Sequence, residues 1–150
     1  MTERGKNHMD DTQKLLQSII ENARTGLDAC EQLMTKVKDP GLRDQLMTQR
    51  AQYQSFQQDA ERALHAAGAR PHAKNPMGRV GMWMGIQMNT LTDASASHIA
   101  DMLIQGATMG VVGMTRDQND LPEASAEAKG LAADFIARQQ ECIDGMKAYL

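Results

Sequence analysis

The chain has 150 residues, ample for one domain with a core of its own. Its 16 basic and 19 acidic residues give a formal charge of −3, and the basic ones are scattered, so nucleic acid and an anionic membrane are excluded as expected partners. No apolar run approaches bilayer length and no apolar stretch follows the polar start, which points to the cytoplasm.

Residues 1–9 read as a disordered tail and residues 10–150 as a single helical domain. Asp10, Asp11 or Thr12 can cap the first helix. Its apolar residues Leu16, Ile20, Ala23, Leu27, Cys30, Met34 and Val37 recur after four, then three positions. That spacing is the stripe of a long helix packed side by side with others. At Lys38-Asp39-Pro40-Gly41 a helix restarts at once, with Asp39 as N-cap and Pro40 at a position where its missing N–H costs nothing. So short a link makes the first two helices antiparallel. The second carries Leu42, Leu46, Gln49, Tyr53, Phe56, Ala60, Ala63 and Ala67 inward and ends at Gly68, a residue suited to a left-handed cap.

A loop over 69–75 leads to Asn75-Pro76, which opens a connector helix reaching about Leu91. Met77, Val80, Met84, Met88 and Leu91 share one face of it, and Trp83 is the only tryptophan. Thr92 or Asp93 caps the next long helix, from about Ala94 to Asp117, with Ile99, Met102, Leu103, Gly106, Met109, Gly110 and Gly113 inward. A final helix runs from Pro122 to Leu150, with Ala128, Leu131, Phe135, Cys142, Met146 and Tyr149 inward. Long helices of roughly 25 residues are about 38 Å each and can pack along their full length. The connector from Gly68 to Asp93 is too long for a turn, and its own helix lets it run back along the others. The third long helix then lies parallel to the second. The expected fold is all-α: a ferritin-like four-helix bundle with a long crossover that holds an extra short helix.

In Val37-Lys38-Asp39-Pro40-Gly41-Leu42-Arg43, in the run from Arg50 through Gly68 and in the connector around Trp83, the chain resembles a bacterial family of ferritin-like four-helix-bundle proteins of unknown function. The resemblance implies the bundle and carries no activity. The wider superfamily often holds two irons between a Glu on each of two helices and Glu-x-x-His on the other two. No helix here has Glu-x-x-His. The nearest substitutes are Glu61 and His65, four apart, and His98 and Asp101, in reversed order. Asp28, Glu31, Glu141 and Asp144 flank the stripes, while Ala, Cys, Met and Gly fill the inward positions. No metal, cofactor or catalytic residue is therefore assigned, and Glu61, His65, His98 and Asp101 stand as the set for a degenerate metal site. Ser18, Ser55, Ser95 and Ser97 sit in no nucleophile motif.

Methionine is abundant, 12 in the chain, with a concentration between Met77 and Met114. Met repacks around different shapes, and small residues on a helix permit close approach. Met77, Met82, Trp83, Met84, Met88, Gly106, Gly110 and Gly113 together make a candidate interaction surface. Thioether binding of Cu(I) at Met82, Met84 and Met88 finds no cysteine nearby in sequence. Cys30 and Cys142 fall on helical stripes as small, reduced core residues. The expected function is non-catalytic: self-association as a homodimer or binding of a protein partner. The alternatives are an atypical metal-binding protein or oxidoreductase, and a binder of small apolar ligands in a cavity beside the small core residues.

Overall fold

The computed structural model describes residues 9–72 and 79–150 and is all-α, with no strand among the described residues. Its helices are α1 (Asp11–Met34), α2 (Pro40–Ala66), α3 (Arg79–Asn89), α4 (Ala96–Asp120) and α5 (Ala126–Met146), followed by a 3-10 turn, Lys147–Tyr149. The disordered tail falls largely on residues outside the described ones, as do Met77 and the Asn75-Pro76 helix start. Met9 is described and packs partly buried against the core.

Local chemistry sets most boundaries. Asp10 caps α1 reciprocally: its carboxylate accepts from the Gln13 N–H, and the Gln13 side chain accepts from the Asp10 N–H. Asp39 accepts from the Leu42 N–H at 2.9 Å, with Pro40 opening α2. Gly68 then takes φ 85°, the left-handed conformation that releases the chain. The start of α4 differs from the sequence expectation. The Asp93 carboxylate accepts from the Ser95 N–H at 2.9 Å, which forms a turn and passes the capping role to Ser95. That bond holds the Asp93 carboxyl below its usual range. Similarly, Pro122 belongs to a turn and Ser125 caps α5. The Asp11 carboxylate and Thr12 hydroxyl accept from the N–H groups of Glu123 and Ser125, so the start of α1 holds the α4–α5 link.

The core divides into two apolar clusters at opposite ends of the helices. One joins Leu15, Leu16, Ile19 and Ile20 of α1 to Leu64 of α2, Met114 of α4 and Phe135 of α5. The other joins Leu33 of α1 to Leu42 and Leu46 of α2, Ile99 and Leu103 of α4, and Cys142 and Met146 of α5. The first therefore takes the N-terminal half of α1, the C-terminal halves of α2 and α4, and the N-terminal half of α5. The second takes the remaining halves. It follows that α1 and α5 run one way and α2 and α4 the other. The α1–α2 pair and the α4–α5 pair are each in extensive contact, and α3 lies against α1 and α4. After Gly68 the chain is tied along α1, where the His72 N–H donates to Gln17 and the Arg24 guanidinium donates to the His72 carbonyl. Farther along, Met84 and Met88 of α3 join the second cluster.

The buried face of α4 keeps Ile99, Met102, Leu103, Gly106 and Gly110 of the expected set and shifts at its edges. Ala100, Ala107 and Met114 are buried, while Met109 and Gly113 are only half-buried. On α5, Ala132 and Gln139 join the buried face and Leu131 moves to its edge.

Candidate functional site

Between the two apolar clusters lies a tier of different chemistry. Gln49 of α2 is 4% exposed and Gln139 of α5 is 7% exposed, and with Gln17 they are the polar side chains buried among the described residues. The Tyr53 hydroxyl donates to Gln139 Oε1 at 2.7 Å, closing a link between α2 and α5. Gln49 is one helical turn from Tyr53, and neither its Oε1 nor its Nε2 has a hydrogen-bond partner within the protein. A buried amide left unpaired costs about 1–3 kcal/mol, so this position is a poor choice on stability grounds alone.

The tier surrounds a narrow cavity of about 30 Å³, walled by α1, α2, α3, α4 and α5. Gln49, Tyr53, Gln139, Cys30, Cys142 and Met84 all line it, and among the described residues no charged or imidazole side chain does so. A second, smaller depression of about 10 Å³ lies across the same partition, with Gln49, Tyr53, Gln139 and Cys142 on its wall. Glycine makes room for the tier. A Cβ at Gly26 would overlap the Tyr53 ring, one at Gly106 would lie 2.8 Å from the Met84 methyl, and one at Gly110 would lie 3.1 Å from Gln139 Nε2. The ring of Phe135 closes the tier toward the first cluster, edge-on to Phe56 with ring centres 5.3 Å apart.

Burial dominates the electrostatics. It pushes the Cys30 thiol from 9.0 up to about 12, with smaller rises from Cys142 and Glu31 against a lowering by Arg50. Cys142 is likewise pushed up to about 12 by burial. Tyr53 is raised well above 10.0, again by burial first, although its bond to Gln139 works the other way. At neutral pH the tier is uncharged. Its thiols are protonated and poor nucleophiles, because the thiolate is the reactive form.

The residues of the degenerate metal set are not brought together. Glu61 lies toward the first cluster, 3.5 Å from Arg24 and accepting from Gln57. His65 is exposed in the last turn of α2, whereas His98 and Asp101 sit in the first turns of α4, near the second cluster. Asp101 accepts from Gln105, Glu31 pairs with Arg50, Glu141 with Arg138 and Asp144 with Lys147. Among the described residues no three of His, Cys, Asp and Glu are grouped to hold a metal ion.

The candidate interaction surface divides in two. Met84, Met88, Gly106 and Gly110 are buried within the chain, and Gly106 is in contact with Met84 and Trp83 of its own α3. Trp83 and Gly113 are half-buried. Met82 is the exposed member, at 58%, and Ile86 joins it one turn on at 57%. Cys30 and Cys142 stand free on one cavity wall with Met84, although Cys142 follows Met84 by most of two helices. Sequence spacing alone sets Met84 apart from cysteine; the packing joins them.

Gln49 appears in the sequence as one stripe position among many. Its rank rises only when its neighbours are known to be sulfur, glycine and open space. No family profile, curated protein or solved structure matches the chain.

Proposed function

We propose that the chain is a ferritin-like four-helix bundle with one long crossover, and that its middle tier is a non-catalytic binding site for a small uncharged molecule. The antiparallel α1–α2 and α4–α5 pairs, with α2 and α4 running in the same sense, support the crossover topology. The binding reading rests on one observation, the unpaired amide of Gln49 on a cavity wall. A ligand offering a donor and an acceptor side by side, such as a carboxamide, satisfies both Gln49 atoms. Met84, Leu103 and Ala107 give its apolar portion a place to pack. An anionic ligand is disfavoured because no lining side chain among the described residues is cationic. This modifies the apolar-ligand alternative, since an apolar molecule would leave Gln49 unpaired. Two free, protonated thiols suit a reducing cytoplasm. Among the described residues no helix is long and apolar enough to cross a membrane.

The test is a thermal-shift screen of carboxamides, ureas, alcohols and purely apolar fragments against the wild type and Gln49→Leu. Binding to the folded state raises Tm. Carboxamides should stabilise the wild type and lose that effect in the variant. A flat response throughout contradicts the reading, and equal stabilisation of both proteins by apolar fragments restores the apolar alternative.

Self-association is a second reading, favoured by Met82 and Ile86 exposed one turn apart on α3. In it a homodimer, or a complex with a protein partner, covers that face. Light scattering should show a dimer that Met82→Lys with Ile86→Lys converts to monomer; a wild-type monomer at high concentration removes the homodimer.

A further inference from the structure

We propose that Cys30, Cys142 and Met84 form a site for one soft monovalent cation, of which Cu(I) is the type, in the cavity between α1, α3 and α5. Three sulfur side chains from three helices line this one cavity, and they include both cysteines of the chain. All three are more than nine-tenths buried, at 1% for Cys30, 7% for Cys142 and 8% for Met84. The thiols lie near enough that a charge on Cys142 disfavours ionisation of Cys30. A cation bound by both removes that conflict.

The wall also selects among cations. Thiolate and thioether are soft ligands that favour Cu(I), whereas carboxylate, carbonyl and water suit Mg²⁺, Ca²⁺ and Mn²⁺. Among the described residues no carboxylate or imidazole lines the cavity, so hard ions find no charged oxygen, and Zn²⁺ finds two of the four ligands it normally takes. Cu(I) is satisfied by two or three sulfurs. Gly106 supports the third: a side chain there would meet the Met84 methyl at 2.8 Å and shift the thioether.

Binding is a ligand exchange without redox change. Each thiol releases its proton to solvent, each thiolate donates an electron pair to the cation, and Met84 Sδ donates a lone pair. The occupied site carries one net negative charge, and Arg50 is the cation that already lowers the Cys30 pKa. Gln49 takes no part, so this site stands or falls apart from the small-molecule reading.

The experiment is an anaerobic competition for Cu(I) between the reduced full chain and the chromophoric chelator bicinchoninate. The wild type should withdraw one Cu(I) per chain. Cys30→Ser and Cys142→Ser should each weaken binding by about 100-fold or more, and Met84→Leu by about tenfold, the scale of losing one soft ligand from a low-coordinate site. Met109→Leu, which removes a thioether of α4 that does not line the cavity, should bind as the wild type does. Circular dichroism of each variant reports its fold, and Met84→Leu, which conserves volume, keeps the test valid if a serine variant unfolds. The proposal is overturned if the wild type leaves Cu(I) with the chelator, if the double serine variant retains wild-type affinity, or if Zn²⁺ binds as tightly through the same cysteines.

Discussion

The two ends of the helices and their middle follow opposite rules. At the ends, Leu15, Ile19, Leu64 and Phe135, and likewise Leu33, Leu42 and Ile99, are almost wholly buried apolar side chains. Close packing of this kind is what stability requires. In the middle, the same helices present amides, thiols, a phenol and glycines around open space. Helix α2 makes the contrast within one element: Leu46 and Leu64 are fully buried, and between them the inward stripe carries Gln49 with no partner. The ends hold the fold together, and the middle is where the molecule tolerates a cost in stability.

The largest expected effect tests the ends. Phe135→Ala should cost about 3–5 kcal/mol and Leu64→Ala about 2–5 kcal/mol in chemical denaturation, through lost transfer free energy and a residual void. Losses below 1 kcal/mol would mean that the ends are as loosely packed as the middle.

The second effect is alkaline. Cys30 and Cys142 are raised from 9.0 to about 12 in the folded chain, so above 9.0 the unfolded chain loses protons that the folded chain keeps. Unfolding then becomes easier as pH rises. Stability should be level below pH 9 and fall by about 1.4 kcal/mol per pH unit for each thiol until the folded pKa is reached. Tyr53, raised in the same direction, joins above its own unfolded value. Cys30→Ala with Cys142→Ala should flatten the slope, and an unchanged slope would locate the alkaline loss elsewhere.

Smaller effects sharpen the comparison at glycine. Gly26→Ala drives a Cβ into the Tyr53 ring and should destabilise by about 1–3 kcal/mol. Gly113→Ala meets nothing within 4 Å and should stabilise by up to about 1 kcal/mol, the ordinary helix preference for Ala. Opposite signs at two helical glycines separate a residue that makes room from one that does not.

Local features were the most legible in the sequence. Asp10, Asp39-Pro40 and Gly68 act on their own neighbours within a turn, so each marks its boundary without tertiary help. The start of α4 was less so, because Asp93 and Ser95 are both good caps, and only the structure shows Asp93 accepting from the Ser95 N–H while Ser95 accepts from the His98 N–H. On α4 the periodicity placed Gly106 inward, but it did not show that α3 of the same chain is what covers it. The cavity itself was hidden. Cys30 and Cys142 are far apart in sequence, and an inward glutamine looks the same whether its amide is paired or not.

The most direct measurement is chemical denaturation of the wild type and Gln49→Leu, each with and without isobutyramide as the carboxamide probe. Removing an unpaired buried amide should make the variant more stable by about 1–3 kcal/mol, and isobutyramide should stabilise the wild type alone. A variant less stable than the wild type, with both proteins indifferent to isobutyramide, would show that Gln49 serves the fold and would contradict the middle tier as a binding site.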